Sequence, residues 1–125
     1  MELLFYWFPA IVWMAFIYYL SGRTGEELGS MFPFIKDFNP GHILAYFILA
    51  WLVLWPLRLN KFPRPYLATF LLCLFYGISD EIHQYFVPTR TPDVHDLLRD
   101  LLGAAIALTI NYFLVMRKNR KQAGE

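Results

Sequence analysis

LLFYWFPAIVWMAFIYYL (Leu3–Leu20) runs for eighteen residues without a charge, just long enough to cross a bilayer as a helix. No Lys or Arg precedes it and no small-x-small cleavage site follows, so it reads as a retained first helix rather than a leader. Outward from it, SGRTGEELGSMFPFIKDFNPG (Ser21–Gly41) is rich in Gly and charge and reads as a loop, with a short surface helix around Glu26–Met31. A second apolar block follows at His42–Leu57, closed by the turn RLNKFPRP. A third starts at Tyr66, meets charges at Asp80 and Glu81, and continues as helix to about Phe86, because nothing before Pro88 breaks it. The fourth starts near Asp93 or Asp96 and runs to Met116. The expectation is an all-α, polytopic bundle of four membrane-spanning helices (3–20, 42–57, 65–86 and 96–116), forming one domain over residues 1–125 with a basic tail at 117–125.

Composition agrees. The apolar fraction is 58%, above that of an ordinary soluble domain, and it is gathered into blocks that a 125-residue soluble fold has too little interior to hide. A net charge of +1 gives no reason to expect a nucleic-acid partner. The single cysteine, Cys73, excludes an intramolecular disulfide.

Orientation follows from the cations. Arg58, Lys61, Arg64, Arg117, Lys118, Arg120 and Lys121 place seven on the side of both termini, against four (Arg23, Lys36, Arg90 and Arg99) on the other. Positive-inside bias then predicts a multi-pass protein of the cell membrane with both termini cytoplasmic. Blocks two and three hold only 14–16 uncharged residues. That is roughly 21–24 Å of helix against a hydrocarbon core of about 30 Å. His42, Asp80, Glu81 and Asp100 are therefore expected at or below the hydrocarbon edge, where ionisable groups are costly and suggest a site.

The densest polar segment is YGISDEIHQYFVPTRTPDVHDLLRDLLGAA (Tyr76–Ala105). On a helix, Asp80, His83 and Gln84 share a face with Glu81 beside them. Asp96 and Asp100 lie one turn apart, and Gly103 and Ala107 continue their stripe, allowing close approach to the preceding helix. Arg90 sits between prolines in the connecting loop, while Ser21 and His42 arrive at the same membrane face from the first half of the chain. This mixture suits acid–base chemistry by Asp80, Glu81, His42 and His83. It also suits a divalent cation held by Asp80, Glu81, Asp96 and Asp100. Arg90 would bind an anionic substrate group with Gln84 and Ser21 beside it. Bland readings stand alongside: Asp96 as a helix N-cap, and His83 and Gln84 as interhelical glue. Asp93 and His95 read as solvated loop, and the aromatic residues as lipid-facing surface.

The run DEIHQYFVPTR, followed by Asp96, Asp100 and Gly103, resembles the signature of the VanZ-like family, named for a membrane protein linked to resistance to the glycopeptide teicoplanin. Asp80, Glu81, Gln84, Phe86, Pro88, Arg90, Asp96 and Gly103 match that pattern, and Ser21 and His42 match earlier family motifs. The chain departs from it at Phe38 and Asn39, where an Asp-Lys pair is common, at Asp100, where the family has Asn, and at Thr89, where it has Gly. Three functional classes remain open. One is a hydrolase or transferase acting on a lipid or cell-envelope amphiphile. The second is a non-catalytic binder of a lipid, cell-wall precursor or glycopeptide, and the third is a structural subunit.

Overall fold

The computed structural model describes residues 2–34, 39–88, 90 and 93–124. Five helices follow in order: α1 (Glu2–Ser21), α2 (Gly25–Met31), α3 (Asn39–Leu59), α4 (Pro65–Tyr85) and α5 (Val94–Ala123). Their ends have local causes. Thr24 caps α2 by accepting the Glu27 backbone N–H at 3.1 Å, the geometry of a Thr-x-x-Glu start. Pro40 and Pro65 stand in the first turns of α3 and α4, where a missing N–H costs nothing. Arg64 enters α4 from the left-handed region at φ 51°, which costs a non-glycine residue roughly 1–2 kcal/mol.

Among the described residues, three helices are long and apolar enough to cross a membrane: α1, α3 and α5. The fourth expected span, α4, is not among them. α4 has the length, at 21 residues, but Asp80, Glu81, His83 and Gln84 in its last turns make it less apolar. Two boundaries also move. α3 is longer at both ends than the expected 42–57, and α5 runs through most of the basic segment expected as a tail, to Ala123. No Pro or Gly stands between Val94 and Ala123 except Gly103, so nothing stops the helix at Met116.

α3 occupies the centre, packing most extensively on α5 and also on α1 and α4. The core is built from small and medium residues: Ala10 and Ile17 of α1, Leu49, Ala50 and Val53 of α3, Cys73 of α4, and Ala104 and Ala107 of α5. At Gly103 the approach is tightest, since a Cβ there would run into the backbone of Ile43. The small-residue stripe of α5 therefore docks chiefly on α3, where the sequence pointed to the preceding helix. Trp13 closes the α1 side by donating its indole N–H to the Ala45 carbonyl at 2.8 Å. Large apolar side chains face outward along the long helices, among them Phe5, Phe8, Leu44, Phe75 and Phe113, each more than 60% exposed. In water such a surface would be an aggregation liability; against hydrocarbon it is the expected exterior.

Candidate functional site

The inward face of α4 carries Thr69, Cys73, Gly77, Asp80 and Gln84, spaced by three and four residues. Its apolar portion therefore packs and its last turns bring a carboxylate and an amide inside. The same periodicity on α5 buries Asp100 one turn before Gly103 and Ala104. Because Gly103 lets α5 sit against Ile43, Asp100 is level with the neighbouring residue of α3, His42. The His42 Nδ1 lies 3.0 Å from Asp100 Oδ1, and its Nε2 lies 3.8 Å from Asp96 Oδ2. Asp100 is completely buried and its second oxygen, Oδ2, finds no hydrogen-bond partner among the described residues. Asp96 in turn accepts from Arg99 Nη1 at 2.6 Å. With Nδ1–H donated to Asp100, the ring is held in one tautomer and one orientation.

On the neighbouring wall, the Ser21 hydroxyl at the end of α1 donates to the buried carboxylate of Asp80. Arg90 donates from Nη1 to the Arg23 backbone carbonyl at 2.7 Å. These groups open into one cavity of about 140 Å³, whose polar lining is Ser21, His42, Asp80, Gln84 and Arg90. Ile17, Leu20, Leu28, Phe32, Ala45 and Tyr46 supply the apolar part. The cavity is amphipathic: polar and charged atoms gather on one portion, hydrocarbon on the rest.

Not every expected residue reaches it. Glu81 turns toward the start of α5, where Oε2 accepts the Asp93 backbone N–H at 2.9 Å. His83 stacks flat on Tyr18 with ring centroids 4.1 Å apart and does not line the cavity. The set expected to hold a divalent cation is spread over separate partners: Asp80 on Ser21, Glu81 on Asp93, Asp100 on His42. Among the described residues no three His, Cys, Asp or Glu side chains converge as metal ligands. The N-cap, one of the two readings open for Asp96, is made by Asp93, which accepts the His95 backbone N–H at 2.9 Å. That hydrogen bond holds the exposed Asp93 carboxyl below its ordinary range and leaves Asp96 for His42 and Arg99. Lys36, Phe38 and Thr89 lie outside the described residues, and the side chain of Asn39 is likewise not described.

Two parts of the site carry no sequence signal. Tyr46 read as one apolar residue within a membrane block, yet it is buried in the cavity wall with a hydroxyl that has no partner among the described residues. Leu28 of the short helix expected on the surface, and Phe32 just beyond it, wall the cavity on its outer side. Only a helix-periodic sequence with a known partner helix would reveal either.

A VanZ/LLP1 family profile matches residues 5–115, a span that includes every cavity-lining residue. An uncharacterized protein of Schizosaccharomyces pombe is 32% identical over 81 residues, covering 64% of this chain. The chain spans about half (49%) of the length of that relative. No solved structure matches. The apolar helices make this a membrane protein, and the matched span, carrying Ser21, His42, Asp80, Gln84 and Arg90 together, means that the chain belongs to the VanZ/LLP1 family.

Proposed function

We propose that this chain is an integral-membrane hydrolase or transferase acting on an amphiphile with an anionic or glycan head group. The observation that carries the reading is His42: it faces the cavity while Nδ1 is held by a fully buried carboxylate, Asp100. A histidine oriented in this way is a general base and acid whose tautomer does not have to be selected at each turnover. It takes a proton from an attacking hydroxyl or water and returns it to the leaving oxygen. Arg90 meets the negative charge of the head group, and Ser21, Asp80 and Gln84 fix its orientation by hydrogen bonds. The apolar residues Ile17, Leu20 and Phe32 lie where the first carbons of an acyl or prenyl chain would enter.

All four long helices cross the bilayer in this reading. α4 ends in the polar site rather than beyond it, which accounts for its shorter apolar run. The cation count supports both termini in the cytoplasm and, with them, the cavity at the extracytoplasmic face of the cell membrane. A second reading keeps the same ligand but no chemistry, and it has one specific support. The Ser21 hydroxyl, the obvious nucleophile in the cavity, is already committed to Asp80. The cavity volume is that of a small head group, near the roughly 150 Å³ that accepts a benzene-sized molecule. A glycopeptide antibiotic could only touch its mouth.

The test is turnover of a panel of phospholipids and prenyl-linked head groups by the purified chain in nanodiscs. His42→Gln should abolish turnover while leaving the thermal unfolding midpoint nearly unchanged. Undiminished turnover in that variant would remove the catalytic assignment. Saturable binding without product, lost in Arg90→Ala, would establish the non-catalytic reading in its place.

A further inference from the structure

Every ion pair among the described residues lies at the His42 end of the bundle. The other end is different in kind. From Phe38 to Ser79 and from Leu101 to Gly124 the chain contains no Asp or Glu, yet these segments hold Arg58, Lys61, Arg64, Arg117, Lys118, Arg120 and Lys121. At that end a cavity of about 450 Å³ opens between α3 and α5, lined by Trp51, Leu52, Leu54, Trp55, Arg58, Leu59 and Asn111. Of the seven cations only Arg58 lines it.

Arg58 has one side-chain partner among the described residues. Its Nη1 donates to Asn111 Oδ1 at 3.3 Å, and the same oxygen accepts the Tyr66 hydroxyl at 2.9 Å. One side chain of α5 thereby ties α3 to α4 and gives the exposed guanidinium a neutral partner. Among the described residues that guanidinium meets no carboxylate, so its charge is uncompensated. Trp55 is packed edge-on against Tyr6 with centroids 5.1 Å apart, which makes one aromatic wall firm. Sixteen residues separate Arg58 from His42 on α3, or about 24 Å of helix, so the two cavities lie near opposite edges of a hydrocarbon core.

We propose that this second cavity binds the phosphate of an anionic phospholipid of the surrounding bilayer, with its upper acyl carbons against Trp51, Leu52 and Trp55. A planar guanidinium held by a neutral partner retains paired N–H groups for phosphate oxygens. Aromatic rings at this depth suit the head-group boundary. The other cations at this end, which make no ion pair among the described residues, add only a diffuse attraction for anionic lipid. The site does not depend on any chemistry at His42.

The experiment is native mass spectrometry of the full chain released from detergent containing equal amounts of phosphatidylglycerol and phosphatidylcholine with the same acyl chains. The wild-type chain is expected to retain one phosphatidylglycerol with at least a tenfold preference. Arg58→Gln should reduce that preference to near unity, and Arg120→Gln, which removes a cation outside the cavity, should leave it within twofold. Arg58→Lys keeps the charge without the fork and should lose several-fold; it also serves as the reading if Arg58→Gln fails to fold. Wild-type preference in both Arg58 variants would overturn the proposal. Equal loss in Arg120→Gln would do the same, because diffuse charge would then account for the binding. Displacement of the lipid by an equimolar amount of inorganic phosphate would overturn the lipid as occupant.

Discussion

The two ends of α3 and α5 hold their charges by opposite rules. At one end His42, Asp96, Arg99 and Asp100 are partly or wholly buried and are set against one another. At the other, Arg58 leans on an amide and the remaining cations stay exposed. A buried charge without a partner costs several kcal/mol, so the first end has to specify its geometry. An exposed cation in water or among head groups costs almost nothing, so the second end can be specified loosely. The contrast teaches that only one end of this bundle is structurally committed to its charged residues.

The largest test of that contrast is Gly103→Leu, because any side chain there meets the Ile43 backbone and drives α5 from α3. The expected destabilisation is about 3 kcal/mol or failure to accumulate. An unchanged unfolding midpoint in detergent would show that the close approach does not position the site. Next is Asp100→Ala, which leaves His42 without its Nδ1 partner in a buried setting. We expect a loss of roughly 2 kcal/mol together with abolished turnover. A variant that keeps turnover would mean that the His42 orientation has another source.

A smaller effect is expected at Asp93, which caps α5 from an exposed position. Its carboxyl is held below the ordinary value by the His95 N–H, so the folded state favours the ionised form. That contribution is present in full above about pH 4, the unfolded range of an aspartate, and is lost as pH falls through the lower folded value. The difference in unfolding midpoint between wild type and Asp93→Asn should therefore shrink on acidification from pH 5 to pH 3. A constant difference would remove the cap's carboxylate as the cause. Arg120→Gln should have the smallest consequence, with a change in stability within about 0.5 kcal/mol. A larger loss would break the contrast by showing that the basic end is also committed.

Much of this architecture was legible without coordinates, for identifiable reasons. An uncharged run such as Leu3–Leu20 must satisfy its backbone internally if it enters lipid, so length and composition alone select helix. Prolines and capping residues are read from one or two neighbours, which is why α4 was expected at 65–86 and observed at Pro65–Tyr85. The same local reading failed at Asp96, because Asp93 and Asp96 are both competent caps and only the backbone path chooses. The same run-length reading does not separate α4 from the other long helices, although its apolar run is shorter because its last turns are polar.

By itself, then, the sequence determined a membrane protein of long helices and the set of ionisable residues available at one end, since both depend on near neighbours along the chain. The tertiary structure alone decided that Asp100 rather than another carboxylate holds His42, and that Ser21 engages Asp80. It also decided that Glu81 and His83 face away from the cavity while Tyr46, Leu28 and Phe32 wall it. The two hydrogen-bonded pairings join residues 58 and 59 positions apart. They follow from the rotation and crossing of whole helices, set where Gly103 meets Ile43, and no local pattern encodes that rotation.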